Sequence, residues 1–515
     1  MRRSLTALAV FSLLLLAGIP VGAAQPLRSG SGDFVAYERA QQFQLARHLQ
    51  LAARSSGSVH PLTRTLSKAA ASSLATNVEQ ISQDTLDGPP GSQDDTQVEP
   101  DIAVDPNDSS VLTATFQQGR FQDGGSGDPG FATSHDGGET WTDGNLPNLT
   151  VAVGGPFERA SDPVVAFGPD GAVYIQTLGI NFSDCRSAVV VQRSDDGGLT
   201  FGDPLTIQDD NDCNILNDKN WLTVDTFPDS PHNGRIYAAW DVFTVDDSSP
   251  LGSVSPIVLR YSDDRGETWS ELISVSEDPQ SSGIGALPLV RPDGDLTVVW
   301  DHFGVDFDEM VSQTSDDGGL TFSSPLFIGD CSCSSPPDMR TGALPSATVD
   351  PVTGYLYASW QSTQFRHDGL NDIVLSRSTD GGASWGQLKR VNPDSPRANT
   401  DHFTPDVAAY GGTVHVNYYS RDLRHGQYSR FVEQRYQSSS DDDLTFSKPI
   451  RLGPPSSLGF AATVFFNGTK FLGDYIGNAA TSDSDHPVWT RSGHYIGEIE
   501  TAAHHQAAWS ATIVQ

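Results

Sequence analysis

Apolar and polar positions alternate along most of this chain in short runs. Each run is followed, across a brief turn bearing Asp, Asn or Gly, by a second run of the same kind. Residues 101–106 and 111–116 form such a pair, as do 161–167 and 172–177, 220–225 and 235–240, 286–290 and 296–300, 346–350 and 355–360, 403–410 and 414–419, and 471–480 and 487–490. A period of two, β-branched and aromatic residues, and tight-turn residues between the runs predict antiparallel hairpins. A further apolar strand follows at 204–207, 272–275, 325–328, 388–391 and 449–452.

Between hairpin and last strand one phrase recurs, Ser-x-Asp-x-Gly-x-Thr-aromatic. It runs Ser134-His135-Asp136-Gly137-Gly138-Glu139-Thr140-Trp141 and returns at Ser194 to Phe201, Ser262 to Trp269, Ser315 to Phe322 and Ser378 to Trp385. A worn copy spans Ser439 to Phe446, with Asp443 in place of Gly. The Asp positions are 136, 196, 264, 317, 380 and 441, a step near 60 that marks repeated supersecondary units. The chemistry of the phrase is that of a turn. The Asp carboxylate accepts local backbone N–H groups, Gly supplies positive φ, and the closing aromatic packs between sheets.

These copies resemble the Asp boxes of the sialidase-like β-propellers, over roughly residues 98–500. The resemblance implies that the boxes are structural turns away from the active site. Two paired strands, a third strand, a box turn and a fourth strand make one propeller blade. Seven hairpins with six boxes leave the last blade short. Residues 495–499 can supply its third strand and 77–81, from the other end of the chain, its fourth. The expectation is an all-β propeller of four-stranded antiparallel blades, seven of them, with six as the alternative.

The amino terminus has a different pattern. Met1-Arg2-Arg3, an apolar stretch from Leu5 to Ile19 and small residues to Ala24 describe a secretory signal over 1–24, with a retained anchor as the alternative. Secretion is therefore expected. Residues 25–75 form an N-terminal extension before a propeller at 76–515. Phe34, Tyr37, Leu45, Leu49 and Ala53 suggest an amphipathic helix, a pro-segment laid against the acidic body, and a disordered spacer is the competing reading.

Charge sharpens this division. The chain holds 31 Lys and Arg against 65 Asp and Glu; residues 1–75 carry 8 bases and 2 acids, so the rest carries 23 against 63. So acidic a body argues against nucleic acid and anionic membranes as partners. Four cysteines suit an exported protein. Cys185 and Cys213, in loops of neighbouring units, are a candidate disulfide; Cys331 and Cys333 are too few for a zinc set.

Strand parity puts hairpin turns and box turns on one face, and the entries to first strands with the exits from second strands on the other. The second face gathers polar groups. Its entries carry Glu99, Asp101, Glu158, Arg159, Asp162, Asp218, Lys219, Trp221, Asp401, His402, Asp474 and Tyr475; its exits carry Arg120, Asp241, Asp301, His302, Arg366, His367, Arg421 and Asp422. For any one of these a loop cap or a solvated charge is an adequate explanation, and only their convergence suggests a cleft.

The sialidase-like resemblance implies an Arg clamp for a substrate carboxylate, a Tyr nucleophile activated by Glu, and an Asp acid/base. On that template the candidates are Asp162, Asp401 and Asp474 as acid/base and Tyr475 as nucleophile. Arg159 and Arg421 would bind an anion, and Lys219, Trp221 and His402 would contact substrate. The chain departs from the template in one respect: it has no Arg-Ile-Pro motif. The expected function is a secreted glycosidase acting on a glycan or glycoconjugate, as a monomer; a non-catalytic glycan- or protein-binding propeller is the alternative. No cofactor is assured by the sequence, and Ca²⁺ among the entry-loop carboxylates, as a structural clip or a cofactor, is a third hypothesis.

Overall fold

The computed structural model describes residues 35–37, 39–42, 44, 75–86, 88–276, 282–336, 338–342, 344–395, 398–424, 427–464, 468–493 and 504–514. The signal segment 1–24, most of 25–74 and the expected strand 495–499 lie outside them.

The chain folds into a β-propeller arrangement of small antiparallel sheets. A representative one takes Gly283–Val290, Leu296–Phe303, Asp308–Ser315 and Leu326–Asp330 in sequence order, each strand antiparallel to the last. Its first strand is innermost. First strands pack in succession around an axis: Ser92–Asp105 on Arg159–Phe167, then Ile215–Val224, Gly283–Val290, Ser346–Val349, Thr400–Tyr410 and Gly477–Ala480, which returns to Ser92–Asp105. The two ends of the chain share one sheet. Gly477–Ala480 pairs with Ser484–Ser492, which pairs with Gln506–Val514, and this last strand also takes Ala75–Gln80. The third strand of this sheet is Gln506–Val514. Ala507, Ala508, Ala511 and Ile513 give it the buried faces.

The box turns form the way their sequence dictates. In the first, Asp136 Oδ1 accepts the Thr140 N–H at 2.8 Å and Oδ2 the Thr140 hydroxyl at 2.6 Å, while Ser134 Oγ accepts the Gly138 N–H at 2.9 Å. The same bonds recur about Asp264. Gly137 and Gly138 take φ of 73° and 84°, which a side chain would resist. The worn copy keeps the Asp441 bond to the Thr445 N–H at 2.8 Å but shifts its left-handed residue to Leu444, φ 55°. The box Gly137 also donates to the Ser110 carbonyl at 2.9 Å, so boxes and hairpin turns share one face.

The aromatic that closes each box packs between two sheets. Trp141 joins Ile102, Phe116, Val488 and Ala508; Trp269 joins Tyr174, Val189, Ile236 and Trp240; Trp385 joins Val299, Met310, Leu356 and Trp360. The seam without a box is filled by Phe403, Tyr419, Trp489 and Ile513, with Val78 of the first strand packed against them. Buried carboxylates add polar ties between neighbouring sheets. Asp101 Oδ2 accepts the Val165 N–H at 2.8 Å, and Asp350 accepts the N–H groups of Gly411 and Gly412 at 3.0 and 2.6 Å.

Two stability predictions follow from these bonds. Asp264→Ala removes the acceptor of the Thr268 N–H and hydroxyl, which water then solvates, and should lower stability modestly in denaturant unfolding. The Thr268 hydroxyl bond, followed by its N–H, holds Asp264 down to about 2 against the usual 3.8. The stabilisation is therefore present above pH 3.8 and lost as pH falls through about 2, where wild type and variant should converge. Asp101 behaves in the opposite sense, because burial pushes it up to about 7. A raised carboxyl contributes stability below its unfolded value of 3.8 that disappears as pH rises through about 7. Asp101→Asn should match wild type in melting temperature at pH 4 and exceed it at pH 8; equal melting at both would overturn the account.

Candidate active site

Pro100, Pro163 and Pro405 sit inside first strands, where a residue without an N–H cannot continue a ladder. The structure answers with a β-bulge at each. Register shifts between Val98 and Asp101, Ser161 and Val164, and Phe403 and Asp406, and also between Asp218 and Trp221 and between Ile284 and Leu287. The bulged residues take positive φ: Glu99 55°, Asp162 51°, Lys219 26°, Gly285 74° and Thr404 48°. Bulges of this kind re-aim side chains beside functional sites. Here they bring Glu99, Asp162 and Lys219 to one cavity at the mouth, together with Asp218, Arg120, Arg340 and Asp474.

Within the mouth charges are matched closely. Asp474 Oδ1 accepts Arg340 Nε at 3.0 Å, with a second bond from the other guanidinium nitrogen, and the Asp474 N–H donates to Glu99 Oε1 at 3.1 Å. Glu99 also accepts the Gln117 amide, and Arg120 Nη1 lies 3.8 Å from it. Arg120 donates to Gln117 Oε1 at 2.6 Å and stacks 4.7 Å above Phe471. Lys219 Nζ stands 3.9 Å from Asp162 Oδ2 and makes no hydrogen bond among the described residues. It rests instead on aromatic faces, 3.9 Å from the Tyr475 ring and 4.6 Å from Trp221.

Burial and crowding of like charges set the protonation of the acids. Burial, then the Asp162 charge, pushes Glu99 up to about 7. The same two causes push Asp218 up to about 6. Asp241, opposite Asp218 in the ladder, is raised well above the carboxylate range by burial and then by Asp218. Two acids of the mouth therefore titrate close to neutral pH.

The structure divides the residues expected from sequence into three groups. Asp162, Lys219 and Asp474 line the mouth. Trp221 and Tyr475 line the channel below it. The Tyr475 hydroxyl donates to the Pro163 carbonyl at 2.9 Å, and burial followed by the Glu99 charge raises it well above the usual phenol range. This is a core tyrosine, poorly disposed to act as a nucleophile. Asp401, His402 and Arg421 belong to a separate cluster. Asp401 accepts the Asn371 N–H and amide, each at 2.8 Å, and the Tyr428 hydroxyl at 3.0 Å. His402 meets Asp394 at 2.8 Å, and Arg421 holds Asp338 at 2.6 and 3.0 Å. Arg159 pairs with Asp123 and stacks 3.9 Å above Phe121. Arg366 is taken up by Asp368 and Asp372. Arg159 and Arg421, expected to bind an anion, are thus each committed to a different Asp, and Arg366 to two.

Arg340 was missing from the sequence candidates. It lies between units on a two-residue strand, Met339–Arg340, parallel to Thr469–Phe471, with no alternation to mark it. Cys185 and Cys213 form a disulfide with Cα atoms 4.9 Å apart, and Cys331 is joined to Cys333. Among the described residues one group has metal-binding spacing, Asp301, Asp308 and Cys331, but its sulfur is in the disulfide. No helix among them is long and apolar enough to cross a membrane.

The BNR/Asp-box repeat family matches residues 260–271, the third box. No curated protein sequence matches the chain. Among solved structures it is similar to an α-L-arabinofuranosidase from Fusarium graminearum, 11% identical with a TM-score of 0.47 over 72% of this chain and 99% of that one. It is also similar to the intramolecular trans-sialidase from Ruminococcus gnavus, 14% identical, TM-score 0.41, over 65% and 92%. The phage phi92 endosialidase is 12% identical, TM-score 0.45, over 83% and 69%. With the matched repeat recurring as turns of one hydrogen-bonded form, each seating its aromatic between two sheets, the chain is a β-propeller built on Asp-box turns.

Proposed function

We propose that the mouth is the active site of a glycoside hydrolase. The observation that carries this reading is a set of carboxyl groups split by environment. Glu99 is pushed up to about 7, whereas Asp474 is paired fork to fork with Arg340 beside it. Acids whose surroundings separate their protonation can divide the work of glycoside cleavage. Glu99 gives its proton to the leaving oxygen. Asp162 or Asp474 faces the developing positive charge at the sugar carbon, as nucleophile or as base for water. Lys219, with no hydrogen bond of its own, offers donors to a sugar hydroxyl, and Trp221 stiffens its perch.

The commitment of Arg159, Arg366 and Arg421 to separate Asp partners favours a neutral glycan over a sialic acid. It also favours the second reading, a propeller that binds glycan without cleaving it. The activities of the arabinofuranosidase and the trans-sialidase suggest the range of sugars to screen. We further propose export directed by residues 1–24, an extension over 25–75, and seven blades, the last completed by Ala75–Gln80. The pairing of that strand with Gln506–Val514 supports the count.

Aryl glycosides and arabino- and sialo-oligosaccharides should be assayed with the full chain, intact and cut between residues 45 and 74. Glu99→Gln and Asp474→Asn should each lower kcat by about 100-fold or more. Wild-type rate should fall as pH rises through about 7, where Glu99 loses its proton. Binding without turnover on every substrate would leave the binding reading in its place.

A further inference from the structure

The mouth is already occupied by the chain's own N-terminal segment. Tyr37, Gln41 and Gln44, from the helical residues described between 35 and 44, line the same cavity as Glu99, Asp162 and Asp218. Tyr37 is 5% exposed, its hydroxyl donates to the Asp123 carbonyl at 2.8 Å, and its ring meets Phe182 edge-on at 4.7 Å. Gln44 Nε2 donates to Asp218 Oδ2 at 3.2 Å, so the segment touches one of the two near-neutral acids directly.

The receiving surface is built for this guest. Gly124 adopts φ 113°, and a Cβ there would stand 2.3 Å from the Tyr37 hydroxyl oxygen. Arg159 stacks 4.5 Å above Phe182, the ring that contacts Tyr37, which gives it a part in the seat. The Cys185–Cys213 disulfide fixes the loop whose Cys213 carbonyl accepts the Ala36 N–H at 2.7 Å. Outside the mouth Arg39 donates to Asp247 at 2.8 Å and to the Gly252 carbonyl at 3.1 Å. The segment is thereby clamped, through Arg39 and Asp247, to an acidic body at the place where substrate would enter.

We propose that residues 35–44 are an internal plug, part of a pro-segment that keeps glycan out of the mouth until the chain is cut between the plug and Ala75. This rests on the mouth being the glycan site, but the plug can be tested without any sugar. Ile284 lines the cavity, and all four native cysteines are in disulfides, so Ile284→Cys supplies a single thiol at the mouth.

The full chain carrying Ile284→Cys and a specific protease site placed within 45–74 is folded and labelled with a bulky maleimide before and after cutting. Cutting should speed labelling about 10-fold or more, and a synthetic peptide of residues 33–54 should restore protection. Arg39→Glu, a change at the surface, should speed labelling of the uncut chain. Equal labelling before and after cutting, with no protection by the peptide, overturns the plug. Faster labelling of a cut chain that neither binds nor cleaves any arabino- or sialo-oligosaccharide upholds the plug and overturns the glycan reading.

Discussion

Closure of the ring by pairing the first described strand with the last is the constraint on which everything else rests. Ala75–Gln80 adds antiparallel to Gln506–Val514, with Gln80 opposite Trp509, so one sheet is made from both ends of the chain. An open array of blades would leave an unpaired strand edge and an uncovered apolar seam. Here the seam holds Trp489 and Ile513 under Val78, and the sheet that lacks a box turn loses nothing in packing. Elsewhere the box aromatic fills the outer part of the wedge between diverging sheets. Once the ring is shut, the first strands face one another across a channel, and whatever their bulges project is held at a fixed spacing.

That geometry explains why so many acids are tolerated indoors. A buried carboxyl without partners is costly. Asp101 and Asp350 meet the cost by accepting backbone N–H groups of the next sheet, which couples neighbouring blades through polar as well as apolar contacts. Glu99 and Asp218 differ in that burial is joined by the charge of Asp162, whereas burial alone raises Asp101. A stabilising tie and a crowded cluster look alike in composition; the structure separates them by where the hydrogen bonds go.

Much of this was legible in the sequence, for a physical reason. A box turn satisfies its own hydrogen bonds within eight residues, so Asp136 and Thr140 announce it without tertiary help. The missing outer strand of the last unit was inferable from a shortage of strands, and 77–81 anticipated Ala75–Gln80 closely. The mouth was legible only in part. Asp162, Lys219 and Asp474 fell on the right face, yet so did Asp401 and Arg421, and parity cannot tell a residue that a bulge turns to the axis from one that a loop turns aside. Pro100, Pro163 and Pro405 were the available signal, since each forbids a continuous ladder at that position. Arg340 and the seat of Tyr37 left no periodic trace, because each depends on contacts between segments far apart in the chain.

The distribution of arginine bears most directly on substrate. A guanidinium can clamp a sugar carboxylate only if its donors are free to turn to it. Arg421 spends two on Asp338 and a third on the Ser429 carbonyl at 2.7 Å, and Arg366 divides its donors between Asp368, Asp372 and the Ala398 carbonyl. The absence of an Arg-Ile-Pro motif and the committed state of these side chains thus agree. What stays at the mouth is Arg120 and Arg340 set against Glu99 and Asp474, and Lys219 beside Asp162 with Asp218 close by. On the proposed reading, such a set inside a body of strong negative charge favours a hydroxylated, uncharged ligand over an anionic sugar.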